Sequence, residues 1–408
     1  MQRRHRTLPV LVALGLGAAA LALVPTAAAE AGGAPALFTG DAVAARAADG
    51  LRSTPYNAEV RVKQANPDVV AESTEEIAID LGGRTVHAVR DGARRTEVGN
   101  TLWTGQIRET AKARGAGAEV ATDENNSVTL VRSDAGVTGS VRLDGKLYKI
   151  RPVSGGHAVI AVDETKMPRD HAPIALPKID MPAAEAAPAA NTVIRVQVVA
   201  TNEAVSAYGG DMRALTDLAV AETNKGYTNS GVGITLELAS YSTVNYNEQG
   251  FSTDLSRFRG TSDGQMDGIH AIRDQTRADV GVLIINDSSY CGLASGIGSS
   301  ASTAFAAVYW DCATGYYSFG HEIGHLQSAR HDPATDGSNT PYAYGHGYRY
   351  GTSWRTIMAY NCSPSCPRLN YWSNPRVNYQ GVPMGTTTRS DNARVLENTK
   401  ATVAGFRS

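Results

Sequence analysis

The chain has no cysteine before Cys291; all four (Cys291, Cys312, Cys362 and Cys366) fall in its last third. A thiolate from the N-terminal half therefore cannot block a metal site, and the paired C-x-x-C spacing of cysteine-ligated zinc is missing. A surplus of charge is also missing. The 38 Lys and Arg against 40 Asp and Glu leave a formal net charge of −2, so nothing points to nucleic acid or an anionic membrane surface as a partner. Beyond Ala29 no apolar run is long enough to span a bilayer. G-x-S-x-G is absent, which removes the serine-hydrolase elbow, and Gly296-Ile297-Gly298 does not continue into a dinucleotide-binding pattern.

The 408 residues are enough for two or three domains. Met1 to Ala29 reads as a secretory signal: a basic start at Arg3, Arg4 and Arg6, an apolar run from Leu8 to Val24, and the small-residue site Ala27-Ala28-Ala29. The run is short for a transmembrane anchor. In an exported chain an even cysteine count implies two disulfides. Of the three possible pairings, Cys291–Cys312 with Cys362–Cys366 is preferred, because each closes a local loop. Residues 30–180 read as a β-rich domain of hairpins, from alternating stretches such as Ser127-Val128-Thr129-Leu130-Val131 and Gly139-Ser140-Val141-Arg142-Leu143 between glycine and aspartate turns. One helix is expected over 103–115. Residues 181–191 are an exposed Ala/Pro linker.

From 192 onward strands alternate with helices, the pattern of an α/β sheet. Strands are expected over Thr192–Ala200, Gly233–Ala239, Ala278–Asn286 and Ala304–Trp310. Helices are expected over Asp211–Tyr227, 264–277, Tyr316–Gln327 and Asp391–Phe406. The helix at Tyr316–Gln327 contains H-E-x-x-H: His321 and His325 lie one turn apart and point the same way, so they suit one zinc ion. Glu322 is placed to hold and deprotonate a water without occupying a coordination position. His331 completes a three-histidine set only if the chain turns before it, since an unbroken helix would carry it off that face. His270 and His346 read as structural.

His321-Glu322-Ile323-Gly324-His325, His331 and the downstream Thr356-Ile357-Met358-Ala359-Tyr360 together resemble the metzincin zinc peptidases. One position departs from the pattern. The metzincin glycine is Ser328 here, at a place needing a left-handed backbone, which local side-chain hydrogen bonds would partly offset. The strings Ser318-Phe319-Gly320-His321, Arg355-Thr356-Ile357-Met358 and Tyr371-Trp372-Ser373-Asn374-Pro375 narrow the likeness to the bacterial peptidyl-Asp metalloendopeptidases. It covers about residues 192–408 well and the front half loosely.

The resemblance implies a metzincin-like α/β catalytic domain over 192–408, with a mixed twisted sheet and a zinc helix, behind a β-rich propeptide that inhibits it. His321, His325 and His331 would hold one zinc and Glu322 would be the general base. Asp332 would support a methionine turn floored by Met358, and Tyr360 would either approach the metal or simply pack. Cys291 to Ser302 would supply the edge strand that pairs with extended substrate. The family cuts before acidic residues, so a basic pocket is needed, with Arg355, Arg368 and Arg376 as candidates. Phe38-Thr39-Gly40-Asp41 resembles the F-x-G-D of astacin propeptides, in which an aspartate occupies the metal; a loop with an N-cap aspartate is the preferred reading. Calcium has no Asp/Asn ligand run to support it. The expected protein is a secreted monomeric zinc endopeptidase made as a zymogen, acting on proteins or peptides, with no membrane contact after signal removal. Two other readings stand beside it: a zinc amidase acting on cell-wall amide bonds, and a non-catalytic metal-bearing binding protein.

Overall fold

Side chains that alternate with a period of two suit a pleated strand, and the N-terminal half consists almost wholly of such stretches. The computed structural model describes residues 33–42, 48–108, 119–173 and 191–407; the expected signal at 1–29 and residues 181–190 of the linker lie outside them. Strands β1 (Phe38–Asp41), β2 (Asn57–Ala65), β3 (Glu76–Asp80), β4 (Thr85–Arg95), β5 (Thr101–Ile107), β6 (Ser127–Ser133), β7 (Gly136–Leu143), β8 (Lys146–Val153) and β9 (Gly156–Val162) form one antiparallel sheet in the order β1-β2-β9-β8-β7-β6-β5-β4-β3. Tight turns set the register. Asp144-Gly145 joins β7 to β8 with φ of 50° and 81°, so both residues are left-handed, as the favoured two-residue hairpin requires.

Two expectations fail in this half. Residues 103–107 belong to β5, not to a helix, while 109–115 lie outside the described residues. Trp103 folds over Gly105, where a Cβ would sit 2.6 Å from the indole; residues two apart share a face only in a strand. Phe38–Asp41 is a strand rather than a capping loop, and Asp41 pairs with Lys63 at 2.9 Å instead of reaching a metal site.

The second sheet contains β10 (Thr192–Thr201), β11 (Ile234–Val244), β12 (Val280–Ile285), β13 (Gly292–Ala294) and β14 (Phe305–Tyr309), ordered β11-β10-β12-β14-β13. The first four in that order run parallel and β13 lies antiparallel to β14 at the edge, giving a mixed sheet. Central β12 is buried along its whole length, as its continuous apolar run Val282-Leu283-Ile284-Ile285 demands. Helices occupy Met212–Asn229, Phe251–Arg259, Gly268–Gln275, Ser318–Leu326 and Asn392–Ala404; that at Phe251–Arg259 was not legible in the sequence. Asp211 caps the first, its Oδ1 accepting from the N–H of Arg213 at 2.9 Å and of Ala214 at 3.2 Å.

The helix Met212–Asn229 is apolar on two faces because each meets a sheet. Ala214, Leu218 and Ala221 pack on Leu102 and Val131 of the first sheet. Leu215, Ala219 and Tyr227 join the main core, which runs from Tyr56, Leu147 and Ile160 through Ile194 and Leu283 to Phe319 and Ile323. The two sheets thus share one core, and Ala34–Ser408 forms one compact unit. Arg142 reinforces the contact: buried, it binds Glu164 at 2.9–3.0 Å and donates to the Gly315 carbonyl at 2.8 Å. The preferred disulfides, Cys291–Cys312 and Cys362–Cys366, are both formed. Among the described residues no helix is long and apolar enough to cross a membrane.

Candidate active site

The helix Ser318–Leu326 places His321 and His325 on one face. Between them, Gly324 lets Trp372 approach: a Cβ there would lie 2.6 Å from the indole, which stacks on Tyr227 at 5.7 Å. The helix stops through two backbone bonds, Ala329 N–H to the Gly324 carbonyl and Ser328 N–H to the His325 carbonyl, both 2.9 Å. This is the Schellman arrangement, and it puts Ser328 at φ 77°. The turn sends the chain back so that His331 returns to the helix face. The expected hydroxyl bond is not made: Ser328 Oγ is buried without a hydrogen-bond partner among the described residues. Ser328→Gly is therefore expected to stabilise the protein by about 1 kcal/mol, from relief of left-handed strain and of a buried unpaired hydroxyl. Urea unfolding would measure it, and a loss of stability would show that the Ser328 side chain packs usefully.

The Nε2 atom of His331 lies 3.1 Å from that of His321 and 3.0 Å from that of His325. In His321 and His325 the other ring nitrogen is aimed by the backbone. His321 Nδ1 donates to the Ile357 carbonyl at 3.0 Å and His325 Nδ1 to the Ala329 carbonyl at 2.8 Å, which leaves Nε2 as the acceptor in both rings. Burial holds all three rings neutral, pushing His321 down to about 3 and His325 and His331 well below the ordinary histidine range. Neutral acceptors this close repel unless a cation lies among them. An all-imidazole, tightly converging set fits zinc.

Glu322 is fully buried beside them, and neither carboxylate oxygen has a hydrogen-bond partner. Burial pushes its carboxyl well up, and the nearby Asp170 charge adds to the shift. Glu322 lies against the edge strand: a Cβ on Gly292 would sit 2.5 Å from its Oε1.

Met358 is buried, and its Sδ would stand 3.2 Å from a Cβ on Gly324, beneath the histidine helix. Asp332 Oδ2 accepts from the Tyr360 N–H at 3.1 Å and its Oδ1 pairs with Arg349 at 2.6 Å. The Tyr360 ring lies 4.4 Å from that of His331, and its hydroxyl donates to the Asp170 carbonyl at 2.6 Å. His346 bridges the His331 and Ser338 carbonyls, both at 2.8 Å, and so braces the loop behind the third histidine.

The three arginines separate. Arg368 is fully buried, binds the Asp170 carboxylate, and donates to the Tyr316 carbonyl at 2.8 Å. Arg355 is equally buried; it holds the Ala359 carbonyl at 2.7 Å and the Tyr316 hydroxyl at 3.0 Å. Arg376 is not part of this cluster. It is mostly exposed and clasps Asp391, the cap of the last helix, at 2.6 and 2.9 Å. A planar guanidinium fits a capping carboxylate in this two-pronged way, which commits Arg376 to the helix end.

Asp170 was not foreseen. It comes from the segment after the first sheet and is buried within reach of His321 and Glu322. Burial alone would raise its carboxyl, but Arg368, with His321 and Arg355 beyond it, holds it well below the usual carboxylate range. The only sequence signal was a proline-bounded extended stretch, Pro168 to Pro173, just ahead of the linker.

A mixed sheet with a zinc-ready histidine cluster on a helix beside its edge strand defines a metallopeptidase. Residues 190–373 match the model of metallo-peptidase family M12. The chain is 57% identical over 371 residues to a peptidyl-Asp metalloendopeptidase of Stenotrophomonas maltophilia (strain K279a), covering 88% of each chain. It is 55% identical to that of strain R551-3, over 97% of this chain and 99% of the relative. It is 54% identical to that of Xanthomonas campestris pv. campestris, over 91% and 92%. The chain belongs to the peptidyl-Asp metalloendopeptidase family of M12 peptidases. It is an enzyme, a metalloendopeptidase whose family implies a catalytic zinc and protein or peptide substrates.

Proposed function

We propose that this chain is a secreted zinc-dependent endopeptidase, made as a zymogen, that cuts peptide bonds on the amino side of acidic residues. The observation that carries the reading is the convergence of three imidazole Nε2 atoms beside a buried, unpartnered carboxylate. His321, His325 and His331 are the metal ligands. A zinc ion bound there supplies the Lewis acidity that activates a water and polarises the scissile carbonyl.

The protein's residues do the rest. β13 is the edge strand on which an extended peptide would pair, and Gly292 leaves room for Glu322 directly behind that edge. Glu322 takes the proton of the attacking water and returns it to the leaving amine. The Tyr360 hydroxyl, already donating to a peptide carbonyl in the cleft, is placed to stabilise developing negative charge on the scissile oxygen. Ile357 and Asp332 position this apparatus, and Met358 floors it. The acidic preference is supported by the relatives' name and by the positive charge of buried Arg355 and Arg368.

Met1–Ala29 directs export, residues 30–180 are the inhibitory propeptide, and maturation occurs in or near 181–191. The mature enzyme acts as a monomer. Digestion of a peptide library by the processed enzyme, read by mass spectrometry, is expected to give cuts followed mainly by Asp or Glu. Cuts spread over neutral residues would remove the acidic preference.

A further inference from the structure

We infer that Arg368 is the residue that reads the acidic side chain of the substrate, and that Asp170 occupies its pocket as an internal pseudosubstrate until the N-terminal region leaves. The inference rests on the peptidase reading above and adds the residues responsible.

The segment around Asp170 is bound as an extended peptide. Arg169 accepts at its carbonyl from the Cys291 N–H at 2.9 Å, and the His171 N–H donates to the Gly292 carbonyl at 3.3 Å. These are main-chain bonds to the start of the edge strand, the kind by which an added strand is recognised. Tyr360 holds the carbonyl of Asp170 itself at 2.6 Å. The backbone is therefore gripped on both sides where a substrate peptide would lie.

The side chain then enters a closed, polar socket. One oxygen of the carboxylate binds Arg368 Nη2, and the other accepts from Ser318 Oγ at 3.3 Å. Arg368 in turn is oriented by the Tyr316 carbonyl at 2.8 Å and lies 4.8 Å above the Tyr316 ring. The pair is almost wholly out of water, with side-chain exposures of 0% for Arg368 and 3% for Asp170. A buried guanidinium needs an anion. Once Asp170 departs, an acidic substrate residue restores that pairing, whereas a neutral one leaves the charge alone. Discrimination of this kind reaches roughly a hundredfold or more. Glutamate fits the same chemistry with a longer reach.

The test uses the full chain carrying Glu322→Ala so that no variant cuts itself, and reads binding rather than turnover. A fluorescent hexapeptide containing one Asp is titrated by polarisation, beside the same peptide with Asn. The parent with Asp170 in place is expected to bind neither peptide measurably. Asp170→Ala is expected to bind the Asp peptide roughly a hundredfold more tightly than the Asn peptide. Adding Arg368→Gln should erase that ratio, and Arg368→Lys should restore part of it, which separates a lost charge from a lost fold. Thermal melts and zinc content confirm that each variant is folded and loaded.

A folded, zinc-loaded Asp170→Ala chain that still binds no peptide would overturn the pseudosubstrate role. An Asp preference surviving Arg368→Gln would overturn the assignment of Arg368. Neither result touches the peptidase reading, which is judged separately by whether the processed parent, with Glu322 intact, cuts peptides at all.

Discussion

Glu322→Gln is expected to lower peptide hydrolysis by about a hundredfold to ten-thousandfold, the range that one positioned general base contributes. The fold should survive. Among the described residues no group donates a hydrogen bond to either Glu322 oxygen, so an isosteric amide breaks no bond. The burial that pushes the carboxyl up is a cost the neutral amide avoids. Stability should therefore stay within about 1 kcal/mol of the parent or rise. Zinc content should not change, because the three histidines are oriented by Ile357, Ala329 and the turn at Ser328 rather than by Glu322. Steady-state kinetics with metal analysis on the same sample would check this. Activity within threefold of the parent at full zinc content would remove Glu322 from the chemistry.

Removing zinc is expected to abolish hydrolysis and also to weaken the fold. The Nε2 of His331 stands 3.0–3.1 Å from those of His321 and His325, so three nitrogens converge in a site closed to water, and the two that accept repel. A cation relieves that repulsion, so its binding free energy adds to folding. At free zinc a thousandfold above the dissociation constant, the stabilisation is about 4 kcal/mol. Scanning calorimetry with and without a chelator should show a clear fall in the unfolding midpoint. Zinc should restore it and magnesium should not, since magnesium prefers oxygen ligands. An unchanged midpoint after verified metal loss would mean that the histidines pack as a structural cluster.

Much of this protein was legible along the chain because it is written in local spacing. H-E-x-x-H puts two rings on one helix face through the helical repeat alone, and a third histidine six residues on calls for a turn. That turn exists at Ser328. Alternation in 127–162 announced hairpins, because the pleat has the same period. Apolar residues at helical spacing announced the helices that begin at Asp211 and Asp391, and both aspartates cap them in the structure. Each of these signals needs only neighbours a few residues away.

What needed the tertiary structure was every decision taken between distant segments. Residues 103–107 became a strand because β4 and β6 flank them and Trp103 packs over Gly105. Three arginines looked alike in sequence. Only packing gave Arg376 to Asp391, Arg355 to the methionine turn and Arg368 to a carboxylate 198 residues away. The same packing set Gly292 against Glu322 and brought Asp170 into the cleft. No periodicity encodes such pairs. Their partners are chosen by which surfaces must leave water together, and a buried charge then takes whichever opposite charge that burial brings within reach.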